Sequence, residues 1–228
     1  MAETTTNPNQ AESSVSEKQT QDLISLESLS EQKTAIQKYL PSPSGALRQG
    51  EILSNLKQFK LNLESLRSGK PLAEPIIHPF AIVVTQDCDS EQDFKKRQAS
   101  DLISDKIIPS ILFCEVVVAE QLRNRDKDNK VKEINSTVWG QVKINKNERY
   151  HFLESVPAEL NVLGEGLPEL TLDFKRYFTI PTEEVYYRLE IKEAQRCCRL
   201  VSPYLEHLTS RFNYFQYRIA LPEDHTSE

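Results

Sequence analysis

The run Phe80-Ala-Ile-Val-Val-Thr-Gln-Asp-Cys-Asp89 constrains the fold more than any other stretch of the chain. Ala81 to Val84 is apolar, rich in β-branched residues and preceded by Pro79, the pattern of a strand buried on both faces. At its carboxyl end the character changes within one residue. Thr85, Gln86, Asp87, Cys88 and Asp89 emerge together, where a rigid strand holds side chains in place for a site. The bland alternative makes Cys88 a small buried residue and the acids the solvated part of a turn.

The chain has 228 residues, enough for one globular domain with appendages, and its hydrophobic fraction is 38%. The charge is uneven. Residues 1–40 hold six acids and three bases, and residues 221–228 hold three acids and no base, so the net charge of −6 belongs to the ends. A neutral middle argues against a strong nonspecific nucleic-acid binder, so RNA is possible but unsupported as a partner and a protein is the expected one. Residues 1–44 read as a disordered acidic arm, 45–222 as a single domain and 223–228 as a tail. Within the arm, Leu23, Leu26, Leu29, Ile36 and Leu40 give a weak helical pattern, stopped by Pro41-Ser-Pro-Ser-Gly45. Cys88, Cys114, Cys197 and Cys198 make no disulfide framework, and no apolar run approaches membrane-spanning length. A cytoplasmic location with free thiols is expected, with no membrane association.

Taken in order, Gly50 to Leu56 reads as a first strand. Phe59, Leu61 and Leu63 alternate as a second extended piece, followed by a turn at Ser68-Gly69. The central strand runs from Ile76 to Val84 and Glu91 to Arg97 is a charged excursion of one helical turn. Ile111 to Val118 is a strand beside the central one. Arg123 to Lys132 is a charged exposed loop, and Thr137 to Val142 fits helix or strand. Tyr150 to Glu154 is a strand, Gly164 to Pro168 a turn, and Glu169 to Pro181 supplies further strand. Thr182 caps a short helix through Tyr187. The last element is the clearest helix: Ser202 and Pro203 open it, and Leu205, Leu208, Phe212, Phe215 and Ile219 form its apolar face. His207, Arg211, Tyr214 and Arg218 make a second stripe, either a solvated flank or a strip for phosphate or a partner's acid. The whole reads as α+β: a small bent sheet or barrel with an amphipathic C-terminal helix.

Three chemistries fit the 85–89 cluster. A cysteine enzyme would use Cys88 as nucleophile, His151 or His207 as base, and Asp89 or Asp173 as orienter. Against it, Asp87 and Asp89 flank the sulfur and disfavour a thiolate unless Arg176 or Arg211 offsets them. A metal site fits less well. Asp87, Asp89, Glu91 and Asp93 begin like a calcium loop, but Gln92 and Gln98 occupy its later key positions, and Cys88, Cys114 and His151 lack zinc-motif spacing. In the third reading, Thr85, Gln86, Asp87, Asp173, Arg176, His207 and Arg211 form a binding surface. Asp89 is then paired internally with Arg176 or Arg211. With no glycine-rich phosphate loop and no nucleophile elbow, no cofactor is expected.

A set of segments together resembles a family of uncharacterised bacterial proteins of about this size. They are Val84-Thr-Gln-Asp-Cys-Asp89, Ile111-Leu-Phe-Cys114, Tyr150-His-Phe-Leu-Glu154, Leu172-Asp-Phe-Lys-Arg176 and Ser202-Pro-Tyr-Leu-Glu-His-Leu208. The resemblance spans most of residues 48–222 and supplies anatomy rather than an activity. Gly50-Glu-Ile52, His78-Pro-Phe-Ala-Ile-Val-Val84 and Ile111 to Val118 are also similar in order to PemK/MazF-type toxin barrels, many of them ribonucleases, although His78 stands where those have arginine. That likeness implies an SH3-like barrel core. With it, the expected function is a non-catalytic binding or regulatory module of a bacterial stress, toxin-antitoxin or phage-defence system. The alternative is an enzyme, either a Cys88 hydrolase or a toxin-barrel ribonuclease.

Overall fold

The computed structural model describes residues 37–124 and 134–218. Seven strands appear: β1 (Tyr39–Pro41), β2 (Glu51–Leu61), β3 (Ala73–Val83), β4 (Ser110–Val118), β5 (Tyr150–Leu153), β6 (Leu170–Pro181) and β7 (Gln195–Leu200). All pair antiparallel in one sheet, ordered β1-β7-β2-β3-β4-β6-β5. The helices are α1 (Leu63–Arg67), α2 (Asp87–Gln98), α3 (Ala119–Arg123), α4 (Ser136–Lys143), α5 (Thr182–Glu190) and α6 (Tyr204–Gln216). The α+β expectation and the amphipathic C-terminal helix hold. The sheet is open, with β1 and β5 as its edges, and no strand pairing among the described residues closes it into a barrel.

β3 is the middle strand, and Ala81, Ile82 and Val83 are fully buried because both sheet faces are covered. On one face, Leu208, Phe212 and Phe215 of α6 pack over Ile52, Ile82, Val116, Leu172 and Phe174. On the other, Val185 of α5 meets Leu53, Leu56, Ala81, Val83, Phe113 and Ile180. Helix α5 also carries the chain from β6 across to β7, on the far side of β2. A smaller core joins α3 and α4 to β5 through Leu122, Trp139, Val142 and Phe152.

Several elements differ from the sequence reading. The two expected pieces at 50–63 are one strand, β2, and Leu63 instead opens α1 behind an Asn62 cap that accepts from the Glu64 and Ser65 amides. The charged excursion at 91–97 belongs to the twelve-residue α2, whose acids Asp87 and Asp89 and bases Lys95, Lys96 and Arg97 suit the helix dipole at each end. Helix is the outcome at 137–142, where Asn135 caps α4 by accepting from the Val138 amide. Leu40 lies in a strand, and the pattern upstream of residue 37 falls outside the described residues. The folded part takes in the expected linker: β1 pairs with β7, and Arg196 donates to the carbonyls of Pro43, Gly45 and Ala46 and to the buried Glu51 carboxylate. Pro203 precedes α6 and Ser202 makes no cap.

Candidate functional site

The 85–89 cluster is used to join elements. Thr85 Oγ1 accepts from the Leu112 amide at 2.7 Å, and Asp87 Oδ1 accepts from the Gln49 amide at 2.6 Å. These bonds fix the start of α2 against β4 and the loop before β2. Gln86 is exposed at the N-cap position, and Cys88 and Asp89 are exposed in the first turn of the helix. The polar neighbours of Cys88 Sγ are Gln86 Oε1 at 3.7 Å and Asp89 Oδ1 at 3.6 Å. A buried Cys88 is therefore not found, because the chain turns outward into a helix where the strand ends.

The ion pair expected for Asp89 is likewise not formed. Arg176 donates instead to Glu115 at 2.9 Å and lies 3.7 Å from Asp173. Asp173, 3% exposed, is held in bidentate fashion by Arg149 at 2.8 and 2.6 Å, a partner the sequence reading missed. The buried acid of α2 is Asp93, one helical turn beyond Asp89. Fully buried, it accepts from Arg97 Nε at 3.0 and 2.9 Å and from the Ile108 amide at 2.9 Å. Among the described residues no group of three His, Cys, Asp or Glu side chains is placed to hold a metal.

Three residues from the two histidine-bearing motifs do come together. His151 on β5 and His207 on α6 have ring centroids 5.3 Å apart, and Arg211, one turn after His207, reaches both β5 and the loop before it. Arg211 Nη1 donates to Asn145 Oδ1 at 3.0 Å and to His151 Nδ1 at 2.9 Å. Its Nη2 donates to the carbonyls of Asn147 and Tyr150. Arginine has no acceptor to offer, so His151 Nδ1 must accept and the ring hydrogen sits on Nε2. His151 is 3% exposed, and burial, followed by the charges of Arg211 and His207, pushes it down to about 3. Partial burial and Arg211 lower His207 as well. Both rings are thus neutral near pH 7.

Around these rings lies a pocket of about 80 Å³, bordered by Lys38, Lys143, Asn145, Glu154 and Tyr204. Lys38 pairs with Glu154, and Tyr39 donates its hydroxyl to the Glu154 carbonyl at 2.8 Å. Asn145, with φ of 56°, ends α4 in the left-handed region and spans to β5 by bonding both the amide and the carbonyl of Phe152. An asparagine after an amphipathic run was a legible stop signal. Its bonding to Phe152, and the placing of Lys38 and Lys143 at one pocket, carry no mark in the sequence. β3 and β5 lie three strand spacings apart, roughly 14 Å across the sheet. The motif bearing Cys88 and the strand bearing His151 thus start from separate positions.

A second exposed feature is the far end of the β2–β3 hairpin. β7 pairs with β2 only through Glu51–Ser54, and β4 pairs with β3 only from Phe80. From Leu56 to Leu61 and from Ala73 to His78, the two strands pair with each other alone. Lys57 faces Ile77, Phe59 faces Pro75 and Leu61 faces Ala73, so these six share one face of the ribbon. Phe59, Leu61, Leu63, Leu66, Leu72 and Ile77 are between 42% and 71% exposed. The ribbon is firmly built at both ends. His78 stacks on Phe178 with centroids 3.9 Å apart, and the Ser65 hydroxyl accepts from the Leu72 amide at 2.8 Å across the tip.

No protein-family model, curated protein or solved structure matches this chain. No helix among the described residues is long and apolar enough to cross a membrane.

Proposed function

We propose that this chain is a non-catalytic binding or regulatory module that docks a protein partner through the apolar face of the β2–β3 hairpin. The observation that carries this reading is a two-stranded arm whose large apolar side chains lie uncovered although its backbone is fully organised. A ribbon that contributes little to the core has no reason in stability to carry Phe59, Leu61, Leu63, Leu66 and Leu72 on its surface. Phe59, Leu61 and Ile77 share one face of the ribbon, with Leu63, Leu66 and Leu72 exposed at its tip, and exposed apolar side chains grouped in this way mark interaction sites. The arm supplies large apolar contacts, with the Arg188 guanidinium 5.4 Å from the Phe59 ring at its edge, the composition of an interface core with a charged rim. The occupant is a protein surface with an apolar centre. On this reading the antiparallel β2–β3–β4 meander corresponds to the toxin-barrel strands expected from Gly50 to Ile52 and His78 to Val84, carried in an open sheet. All four thiols are free and three are buried, which fits a reducing cytoplasm.

A photo-crosslinking residue at Leu61, in the full chain expressed in its source cells, tests the proposal. One discrete partner adduct is expected, and it is expected to disappear in the Phe59→Ser, Leu63→Ser double variant. Adducts that survive that variant, or no adduct with any protein, would overturn the docking role.

A further inference from the structure

We propose that the pocket between β5, the end of α4, the start of α6 and the residues leading into β1 binds a phosphate-type oxyanion, held by the His151 Nε2–H, His207 and Lys143. The argument begins with the buried ring. Arg211 occupies His151 Nδ1 from behind, which leaves Nε2 as a fixed donor on a side chain 97% removed from solvent, in the wall of the pocket. No group among the described residues accepts from that Nε2. Nε2 itself is open to the pocket, so a ligand oxygen can take the place of water on it.

The other groups at the pocket select the sign of the ligand. Lys143 makes no hydrogen bond or ion pair among the described residues, although it stands at the pocket wall. The acid there, Glu154, is already tied to Lys38. Arg211 adds a second cation, immobilised by four acceptors just behind the histidine. The site therefore offers donors and positive charge with its one carboxylate neutralised, the reverse of a cation site. A donor on Nε2 also excludes His151 as a metal ligand in this tautomer. The donors come from three different elements, β5, α4 and α6, all of which border the pocket. A phosphate-type oxyanion has enough acceptor oxygens to meet three donors at once, where a carboxylate has two.

The test is a titration of the full chain, carrying ¹³C-labelled histidine rings, with inorganic phosphate, and in parallel with acetate at matched ionic strength. Saturable shifts of the His151 and His207 resonances with phosphate are expected, with His78, stacked on Phe178 away from the pocket, as the internal reference. Lys143→Ala is expected to weaken binding about tenfold, the scale of one lost charge-assisted contact, with no change in melting temperature. A parallel titration with O-phosphoserine separates sources: tighter binding than phosphate points to a phosphorylated side chain, weaker binding to the free ion. Shifts that fail to saturate, that acetate reproduces equally, or that are unaffected by both Lys143→Ala and His207→Ala would overturn the site.

Discussion

His151 shows how one neighbour sets the behaviour of a residue. Arg211 fixes its tautomer and, together with burial, keeps it neutral. An unfolded histidine titrates near about 6.5, so the folded value of about 3 lies below it. The stabilising contribution of the neutral ring is therefore complete above about pH 6.5 and is lost as the pH falls towards about 3. Within that window this group is expected to remove about 1.4 kcal/mol of stability per pH unit. His151→Gln keeps an acceptor for Arg211 and has nothing to protonate. Urea denaturation of both proteins between about pH 7 and about pH 4.5 is expected to show a shallower acid decline for the variant. Equal slopes would mean that the ring takes up its proton without strain.

Among the elements, α2 best shows the difference between a residue's type and its place. Asp87, Asp89 and Asp93 all sit on this helix, yet they do different work. Asp87 binds a neighbouring backbone amide, Asp89 is exposed, and Asp93 is buried between Arg97 and Ile108. Asp93→Ala would leave the Arg97 Nε without its acceptor, although Nη2 keeps the Ile108 carbonyl, and would leave the Ile108 amide unsatisfied, at an expected cost of about 3–5 kcal/mol. Asp89→Ala removes only a favourable charge near the helix N-terminus and is expected to cost less than about 1 kcal/mol. Urea midpoints of the two variants decide the matter. The reverse ranking would restore the pairing of Asp89 that the sequence suggested.

At the scale of the molecule, Phe174 joins layers that the hairpin arm does not touch. It is fully buried on β6, with Phe212 and Phe215 of α6 at 5.7 and 5.8 Å and the His151 ring at 6.1 Å. Phe174→Ala is expected to cost about 3–5 kcal/mol and to loosen the pocket along with the core. Leu61→Ser and Leu63→Ser on the arm are each expected to stay within about 0.5 kcal/mol, since no core packs on them. Thermal melts of the three variants measure this division between a core that holds the fold and an arm that is not needed for it.

Local pattern was enough to determine the middle of the sheet and the last helix. A β-branched run such as Ala81–Val83 and a three-four repeat such as Leu205, Leu208, Phe212 and Phe215 each report burial through their own periodicity. His151, His207 and Arg211 each stood out in the sequence, the two histidines as alternative partners for Cys88, and Arg211 in the stripe of the last helix. Their grouping was not legible there. Tertiary structure alone decided the partners. β7 reads as the polar string Gln195-Arg-Cys-Cys-Arg-Leu200, and it becomes a strand because β1 and β2 supply its ladder. Whether Asp89 or Asp93 is the buried acid depends on which face of α2 meets the Ile108 segment. Arg149 and Lys143 gain their roles only when β5 folds against β6 and α4 packs beside it. Periodicity encodes how much of a side chain is buried, while the group it meets across the fold is fixed by chain crossings such as α5, which link segments far apart in sequence.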